Sequence, residues 1–430
     1  MESGACNAAR AECGPGAEMS GGAAQGDDPQ LSPAPRRRAL LGYGRDFWLV
    51  FWATFALNSS SNLFVLYPLQ LVDFGASAAI IGAVIGTWSL ASLAVRPAAS
   101  PLIERFGRRR AATGLLIADV FAVAMYLPVH SLGPAIYAVR ALHGAIEGTA
   151  RVALFAMVFD LLPADREGEA MSVFSTCGMG AAAFAPLFGE FLIHRFSFTA
   201  FFVAAMVCTA IAGALARLTP DEPHRVRGVA TSRVSVAPPR WMEVFRDPQL
   251  LPVWISTLAF AVSISCRLSF VAPLASERGI EQFAWYFTIY SLVAITARIG
   301  GGWLMDHFGI ERMLVPSMLV LSVGIALIAG AGYFGLLYVA AILGGLGHAY
   351  VYPALSAMVI ARTRAEAIGR SSTIYQSIYD LGAMAGPYGL GAFAFCFGYG
   401  PMFVLAGALA MLGAVYFVAA EPHWRVRRLA

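Results

Sequence analysis

"SLASLAVRPAASPLIERFGRRR" (Ser89 to Arg110) and "SLVAITARIGGGWLMDHFGIER" (Ser291 to Arg312) are one pattern written twice. At an offset of 202 residues they match at Arg96/Arg298, Leu102/Leu304, Phe106/Phe308, Gly107/Gly309 and Arg110/Arg312. Each places an arginine in an apolar run, then an acid (Glu104 or Asp306), then a glycine turn. Outside these stretches the register continues at 201, pairing Tyr137 with Tyr338, Gly144 with Gly345, Glu147 with His348, Gly168 with Gly369 and Pro186 with Pro387. The chain therefore reads as two related halves.

Of 430 residues, 58% are hydrophobic and 13% charged, with mean hydropathy +0.66. Soluble domains average about 45–50% apolar and about 25% charged. A soluble core could not hide that much apolar surface, so lipid is the expected solvent. The thirty basic residues are all arginine. With the abundant Ala and Gly, that suggests a high-GC bacterium. Cys6, Cys13, Cys177, Cys208, Cys266 and Cys396 show neither CxxC nor Cys/His spacing, so no disulfide framework and no metal site is expected.

Apolar runs of bilayer-crossing length, about 20 residues, fall near 47–72, 77–100, 111–129, 133–160, 169–193, 198–218, 250–274, 283–305, 313–331, 334–361, 371–396 and 400–420. The expected fold is all-α and integral to the membrane, with twelve transmembrane helices in two pseudo-symmetric six-helix bundles. The bundles span 45–218 and 250–430, the latter ending in a short basic tail. A polar, Arg-rich cytoplasmic linker at 219–249 joins them. Residues 1–44 lack the apolar centre of a signal peptide and read as a disordered cytoplasmic tail, with Met19 an alternative start. Arginine crowds the tails and the loops on one side, including Arg45, Arg105, Arg108–Arg110, Arg217, Arg240, Arg246, Arg312, Arg362, Arg364 and Arg370. The opposite loops hold only Arg195 and Arg278. The positive-inside rule then puts both termini in the cytoplasm.

Three motifs carry a family resemblance. The turn Ser100-Pro101-Leu102-Ile103-Glu104-Arg105-Phe106-Gly107-Arg108-Arg109 is similar to the Gly-x-x-x-Asp-Arg-x-Gly-Arg-Arg turn of the major facilitator superfamily. Its second copy keeps Gly302, Asp306 and Gly309 but lacks the basic pair. "RALHGAIEGTAR" (Arg140 to Arg151) resembles the family's Arg-x-x-x-Gly-x-x-x-Gly-x-Ala pattern. "GMGAAAFAPLFGE" (Gly178 to Glu190) resembles in part the Gly/Pro-rich fifth span of drug and metabolite exporters, and "DLGAMAGPYGLG" (Asp380 to Gly391) is its counterpart. The resemblance implies a secondary transporter that works by alternating access, with binding near the bilayer midplane. It also implies gating turns built on Arg96, Glu104, Arg105, Gly107, Arg108, Arg298, Gly302, Asp306 and Gly309.

Ionisable groups at membrane depth are costly and default to functional hypotheses. Arg140, His143, Glu147 and Arg151 are spaced by three and four, so they share a helix face. Glu147 and His143 are candidate proton sites, with Arg140 beside them and Arg151 tuning them or holding substrate charge. The bland alternative is an Arg/Glu bridge that fixes packing. Asp380 either takes protons or ties helix ends together. Asp119, the other buried acid, sits near a helix end and is read as reaching headgroups. Arg267, if not paired with Asp119 or Asp380, makes the cavity positive and favours anions. Asn58 and Asn62 lie on one face with Gln70. His348, Tyr352, Tyr375 and Gln376 add an aromatic polar wall, and each of these residues has interhelical packing as its alternative.

No GxSxG, P-loop or nucleotide-binding module is present, so neither an enzyme nor a cofactor is expected. The expected activity is proton-coupled efflux of a polar or anionic, siderophore-like metabolite or a drug across the bacterial inner membrane. The expected partners are a small-molecule substrate, protons as the coupling ion and the lipid bilayer, without nucleic acid. The expected oligomeric state is a monomer. The alternatives are proton-coupled uptake of a small organic anion, or a non-transporting receptor or scaffold.

Overall fold

The computed structural model describes residues 43–162, 167–220, 240–364 and 367–421. The tail expected before Tyr43, most of the 219–249 linker and the side chain of Asp306 lie outside that description. Among the described residues there is no strand. The helices are α1 (Arg45–Leu63), α2 (Tyr67–Asp73), α3 (Ala78–Phe106), α4 (Arg108–Ala124), α5 (Pro134–Leu161), α6 (Glu167–Arg195), α7 (Phe198–Arg217), α8 (Trp241–Phe245), α9 (Leu251–Glu277), α10 (Trp285–Phe308), α11 (Ile310–Leu327), α12 (Phe334–Arg362), α13 (Ile368–Phe397) and α14 (Tyr399–Ala420).

Local chemistry sets several boundaries. Ser77 and Ser197 cap α3 and α7, their hydroxyls accepting from the amides of Ile80 and Ala200 at 3.4 and 3.3 Å. Gly107 and Gly309 separate α3 from α4 and α10 from α11 with φ of 82° and 85°, a region that disfavours a Cβ. A tight 3₁₀ turn over Phe64–Leu66 divides the first expected span into α1 and α2. That turn breaks the helical register between Asn62 and Gln70, so the shared face expected for Asn58, Asn62 and Gln70 stops at Asn62. The linker also departs from a plain loop, since it contains the short helix α8.

Among the described residues ten segments are long and apolar enough to cross a bilayer: 45–73, 78–99, 134–161, 173–195, 198–217, 251–277, 285–305, 310–330, 334–362 and 399–420. α4 is only 17 residues long and opens on three arginines, and α13 carries Arg370 and Asp380 within its 30. Those charges and that length keep both outside the set.

Within the earlier part of the chain α1 packs on α6 and α7, and α4 lies between α5 and α7. Later, α9 packs on α13 and α14, while α12 lies on α10 and α11. Two helix pairs, α3 with α13 and α6 with α10, make most of the contact between the earlier and later elements, and α2 and α3 also touch α9. Glycines permit the first approach, because a Cβ on Gly82 would run into the Pro387 carbonyl and one on Gly86 into the Tyr388 ring. At the second, Thr288 donates to the Ala183 carbonyl at 2.6 Å, and the Ala284 amide donates to Glu190 at 3.5 Å. All these contacts lie toward the end where α3 and α10 begin. Toward the other end a Cβ on Gly300, Gly302 or Gly369 would meet nothing within 4 Å. The close glycine approaches between the earlier and later helices thus lie at one end, the packed end; at the opposite, loose end a Cβ on Gly301 would instead meet the Tyr350 hydroxyl of its own half.

Candidate functional site

The densest polar chemistry lies on α5, facing α1, α3 and α4. The i, i+4 spacing that puts His143, Glu147 and Arg151 in line also brings their side chains together. Arg151 donates to Glu147 Oε1 at 2.5 Å, to Asn58 Oδ1 at 2.7 Å and to the Ser61 hydroxyl at 3.0 Å. Ser61 also donates to Glu147 Oε1, and the Trp88 indole N–H donates to Oε2 at 3.1 Å. Glu147 is buried, yet four groups surround it. That number suits a carboxylate at this depth, because an unpaired buried charge costs several kcal/mol or more (roughly, on Born grounds).

His143 extends the run inward. Its Nε2 lies 3.4 Å from Glu147 Oε2 and 3.6 Å from Asp119 Oδ1, while Nδ1 shares a hydrogen bond with the Tyr126 hydroxyl at 3.1 Å. A single proton on Nε2 can point to one carboxylate or the other. Asp119 is fully buried and has no hydrogen-bond donor on either oxygen. It turns into the bundle, not toward headgroups, because α4 packs that face against α5 and α7. Arg140 closes the inner end, reaching the Tyr126 hydroxyl at 3.4 Å and lying over the Phe64 and Tyr67 rings at 5.3 and 5.4 Å. At the outer end the Arg151 side chain is 35% exposed, so the run leads from accessible space to a sealed acid.

The remaining candidates spread over three places. Asn62 donates to the Asn58 carbonyl at 2.8 Å and stays on its own helix. Arg96 on α3 pairs with Asp380 on α13, and Gln376 donates to the same carboxylate at 3.2 Å. Asp380 is also within electrostatic reach of Arg151, so the run on α5 and the pair on α3/α13 face one interior. Across it, Tyr352 stands against Tyr375 and Tyr379 with ring centroids 5.9 and 5.7 Å away, and Tyr290 hydrogen-bonds His348 Nδ1 at 2.9 Å. Among the described residues Arg267 meets no acid; it lies 3.9 Å over Tyr290 and near Tyr286 and Phe287.

At the turns, Arg108 pairs with Asp160 and donates to the Ala156 carbonyl at 2.9 Å. Arg105 lies over the Phe106 ring, and Glu104 is exposed. Arg298 donates to the Ala349 carbonyl at 3.4 Å. Among the described residues no group of three His, Cys, Asp or Glu side chains is arranged to hold a metal. A separate apolar groove of about 460 Å³, lined by Trp52, Phe55, Phe184, Phe188, Cys208 and Ile211, has no charged lining residue. It is not part of this chemistry.

A sequence profile of the Major Facilitator Superfamily matches residues 49–283 and 269–429. The chain belongs to that superfamily. Major facilitator proteins are transporters, so the chain is a multi-pass membrane transporter of a small molecule and not an enzyme. It is 23% identical to the staphylopine export protein of Staphylococcus aureus over 378 residues, covering 83% of this chain and 91% of that one. It is 26% identical to the multidrug resistance protein MdtG of Dickeya zeae, covering 74% and 79%. Among solved structures it shares the fold of the nucleoside transporter NupG, with TM-score 0.71 at 12% identity over 88% of this chain and 99% of that one. It likewise shares that of the human organic anion transporter MFSD10, with TM-score 0.64 at 17% identity over 87% and 99%.

The sequence pattern put Arg140, His143, Glu147 and Arg151 on one helix face, but it did not join Asn58 to them and missed Ser61, Trp88, Tyr126 and the setting of Asp119. Ser61 lies three residues after Asn58 and was open to the same helical argument. Asp119 and Trp88 are brought in from α4 and α3, and Tyr126 from the turn that follows α4, with no local signal.

Proposed function

We propose that this chain is a proton-coupled exporter of a small polar or anionic metabolite in the bacterial inner membrane. The observation that carries it is the continuous run Arg151–Glu147–His143–Asp119. A transporter driven by protons needs an acid that can be reached from the substrate path and a way to hold or pass its proton out of water. Glu147 meets the first need through the exposed Arg151, and His143 with Asp119 meets the second. An anionic group arriving at Arg151 competes for the guanidinium that now serves Glu147. Substrate and proton then take turns at one site.

In this reading α4 and α13 join the ten apolar segments to make twelve spans, with both termini in the cytoplasm. The two halves, 45–218 and 250–430, rock about α3/α13 and α6/α10. The packed end then faces outward and the loose end, near Gly302 and Gly369, opens to the cytoplasm. Export is supported by the roles of the relatives, staphylopine export and multidrug resistance.

The test uses inside-out vesicles and extracts of a deletion strain. A compound trapped inside the deletion strain should accumulate in vesicles when their interior is made acidic. Accumulation driven only by the opposite gradient would replace export by uptake.

A further inference from the structure

The Arg96–Asp380 pair has a twin that lacks its acid. In the repeat Arg96 on α3 corresponds to Arg298 on α10, and Asp380 on α13 corresponds to Met179 on α6. These are the same helix pairs that meet across the halves, α3 with α13 and α10 with α6. Met179 packs with Ala294 and Tyr350 in a small apolar cluster. Arg298 therefore stands where its counterpart finds a carboxylate, and among the described residues it has none. The Ala349 carbonyl, at 3.4 Å, is a weak acceptor for a guanidinium.

A second cation lies close by. Arg267 on α9 is 6% exposed, and its Nε has no hydrogen-bond partner. Both arginines are within electrostatic reach of His348, whose ring is tied to Tyr290 beneath Arg267. The charge balance isolates these two groups. In the earlier helices Arg140 and Arg151 are matched by Glu147 and Asp119, and across the middle Arg96 is matched by Asp380. Among the described residues Arg267 and Arg298 are left with no carboxylate beside them. A cation at membrane depth is costly unless something neutralises it. Aromatic rings do so partly for Arg267, but among the described residues no ring lies over Arg298.

We propose that Arg298, backed by Arg267, binds the carboxylate of an aromatic or heteroaromatic anion whose ring lies against Tyr352, Tyr375 and Tyr379. Arg298 is within electrostatic reach of Tyr352, so carboxylate and ring are held side by side. The bound anion supplies the acid that Met179 does not. Arg298 is thereby a substrate group and not a gate, while Arg96, with its built-in partner, keeps the gating role. This rests on the transporter reading for the class of cargo but needs neither its direction nor its coupling ion.

The experiment measures equilibrium binding to the full-length protein in detergent, with phthalate as the anionic probe and phthalamide as its neutral counterpart of similar shape. Wild type should prefer phthalate by about tenfold or more, the worth of a charge-assisted pair. Arg298→Met should erase the preference, and Arg298→Lys should retain part of it. Met179→Asp rebuilds the missing pair without touching Arg298, and it too should erase the preference while leaving thermal stability at or above wild type. Equal binding of the two probes by wild type, or full phthalate preference in Met179→Asp, overturns the proposal. If binding behaves as expected but acid-driven accumulation fails, the export reading falls and this site stands. If accumulation works and the probes bind equally, this site falls and the export reading stands.

Discussion

Asp160 and Arg362 stand at the ends of corresponding helices, one residue apart in the 201-residue register, and carry opposite charges. Asp160, at the end of α5, pairs with Arg108 at the start of α4, while Arg362, at the end of α12, holds Glu311 at the start of α11 and Glu421, each at 2.5 Å. The same helix ends are tied in both halves with the charges exchanged. The ties are unequal in worth. Arg108 and Asp160 are each more than a third exposed, whereas Arg362 and Glu421 are 13% and 8% exposed. Arg362→Ala should lower unfolding stability by about 1–3 kcal/mol, and Arg108→Ala by less than about 1 kcal/mol. Thermal unfolding in detergent measures both, and equal losses would contradict the difference in burial. Glu311 and Arg362 also sit at the favourable ends of their helix dipoles, while Arg108 and Asp160 do not.

The buried run on α5 makes a sharper demand. Glu147→Gln keeps the shape of the side chain but removes the group that Arg151 and His143 both address. Gradient-driven transport should fall by about two orders of magnitude, the usual cost of deleting a positioned proton-transfer group. Exchange of substrate for substrate, which moves no net proton, should survive. Asp119→Asn should act in the same direction while leaving the fold intact, since the amide keeps the shape of the carboxylate. Undiminished gradient-driven transport in both variants would remove these acids from coupling.

How much of this was legible in the sequence depends on where each partner lies. Spacing along one helix placed His143, Glu147 and Arg151 on one face, and the 202-residue repeat placed the paired turns. Contacts between helices were out of reach. Arg96 read as the neighbour of Glu104 in a gating turn, yet its carboxylate is Asp380, nearly three hundred positions away. Asp119 read as reaching headgroups because only its distance from the helix end was visible, not the direction in which α4 turns it. The break at Phe64–Leu66 is marked by Pro68 in the first turn of α2, which has no N–H for the Phe64 carbonyl, but the continuous apolar run made the first span read as one straight helix.

The paired turns permit a test of equivalence. Gly107 and Gly309 share ψ of 141° and 144° as well as φ near 80°, and a Cβ would meet no neighbour at Gly309. At Gly309 the penalty is therefore conformational and not steric. Gly309→Ala should cost roughly 1–3 kcal/mol, the strain of an L-residue held at positive φ with extended ψ, a region that only glycine adopts readily. Gly107→Ala should cost about the same. A much larger loss at one turn would mean that its glycine serves packing as well.

Opposite outcomes are expected at the two ends of the bundle. At the packed end a side chain on Gly82 collides with the Pro387 carbonyl, which is backbone and cannot swing aside, and Gly391 faces the Ala78 carbonyl at 2.8 Å from its would-be Cβ. Gly82→Val should therefore push α3 from α13 and shift the population away from this conformation. At the loose end Gly302→Val meets nothing here and should leave stability within about 0.5 kcal/mol. If the transporter must close that end to complete its cycle, the same valine blocks the approach of α10, and transport falls while the fold stays intact. Cysteine labelling from each side of the membrane reads the two populations. Gly82→Val should expose positions at the packed end, and Gly302→Val should hold the loose end open. Normal transport by Gly302→Val would show that this end never closes tightly enough to need glycine there.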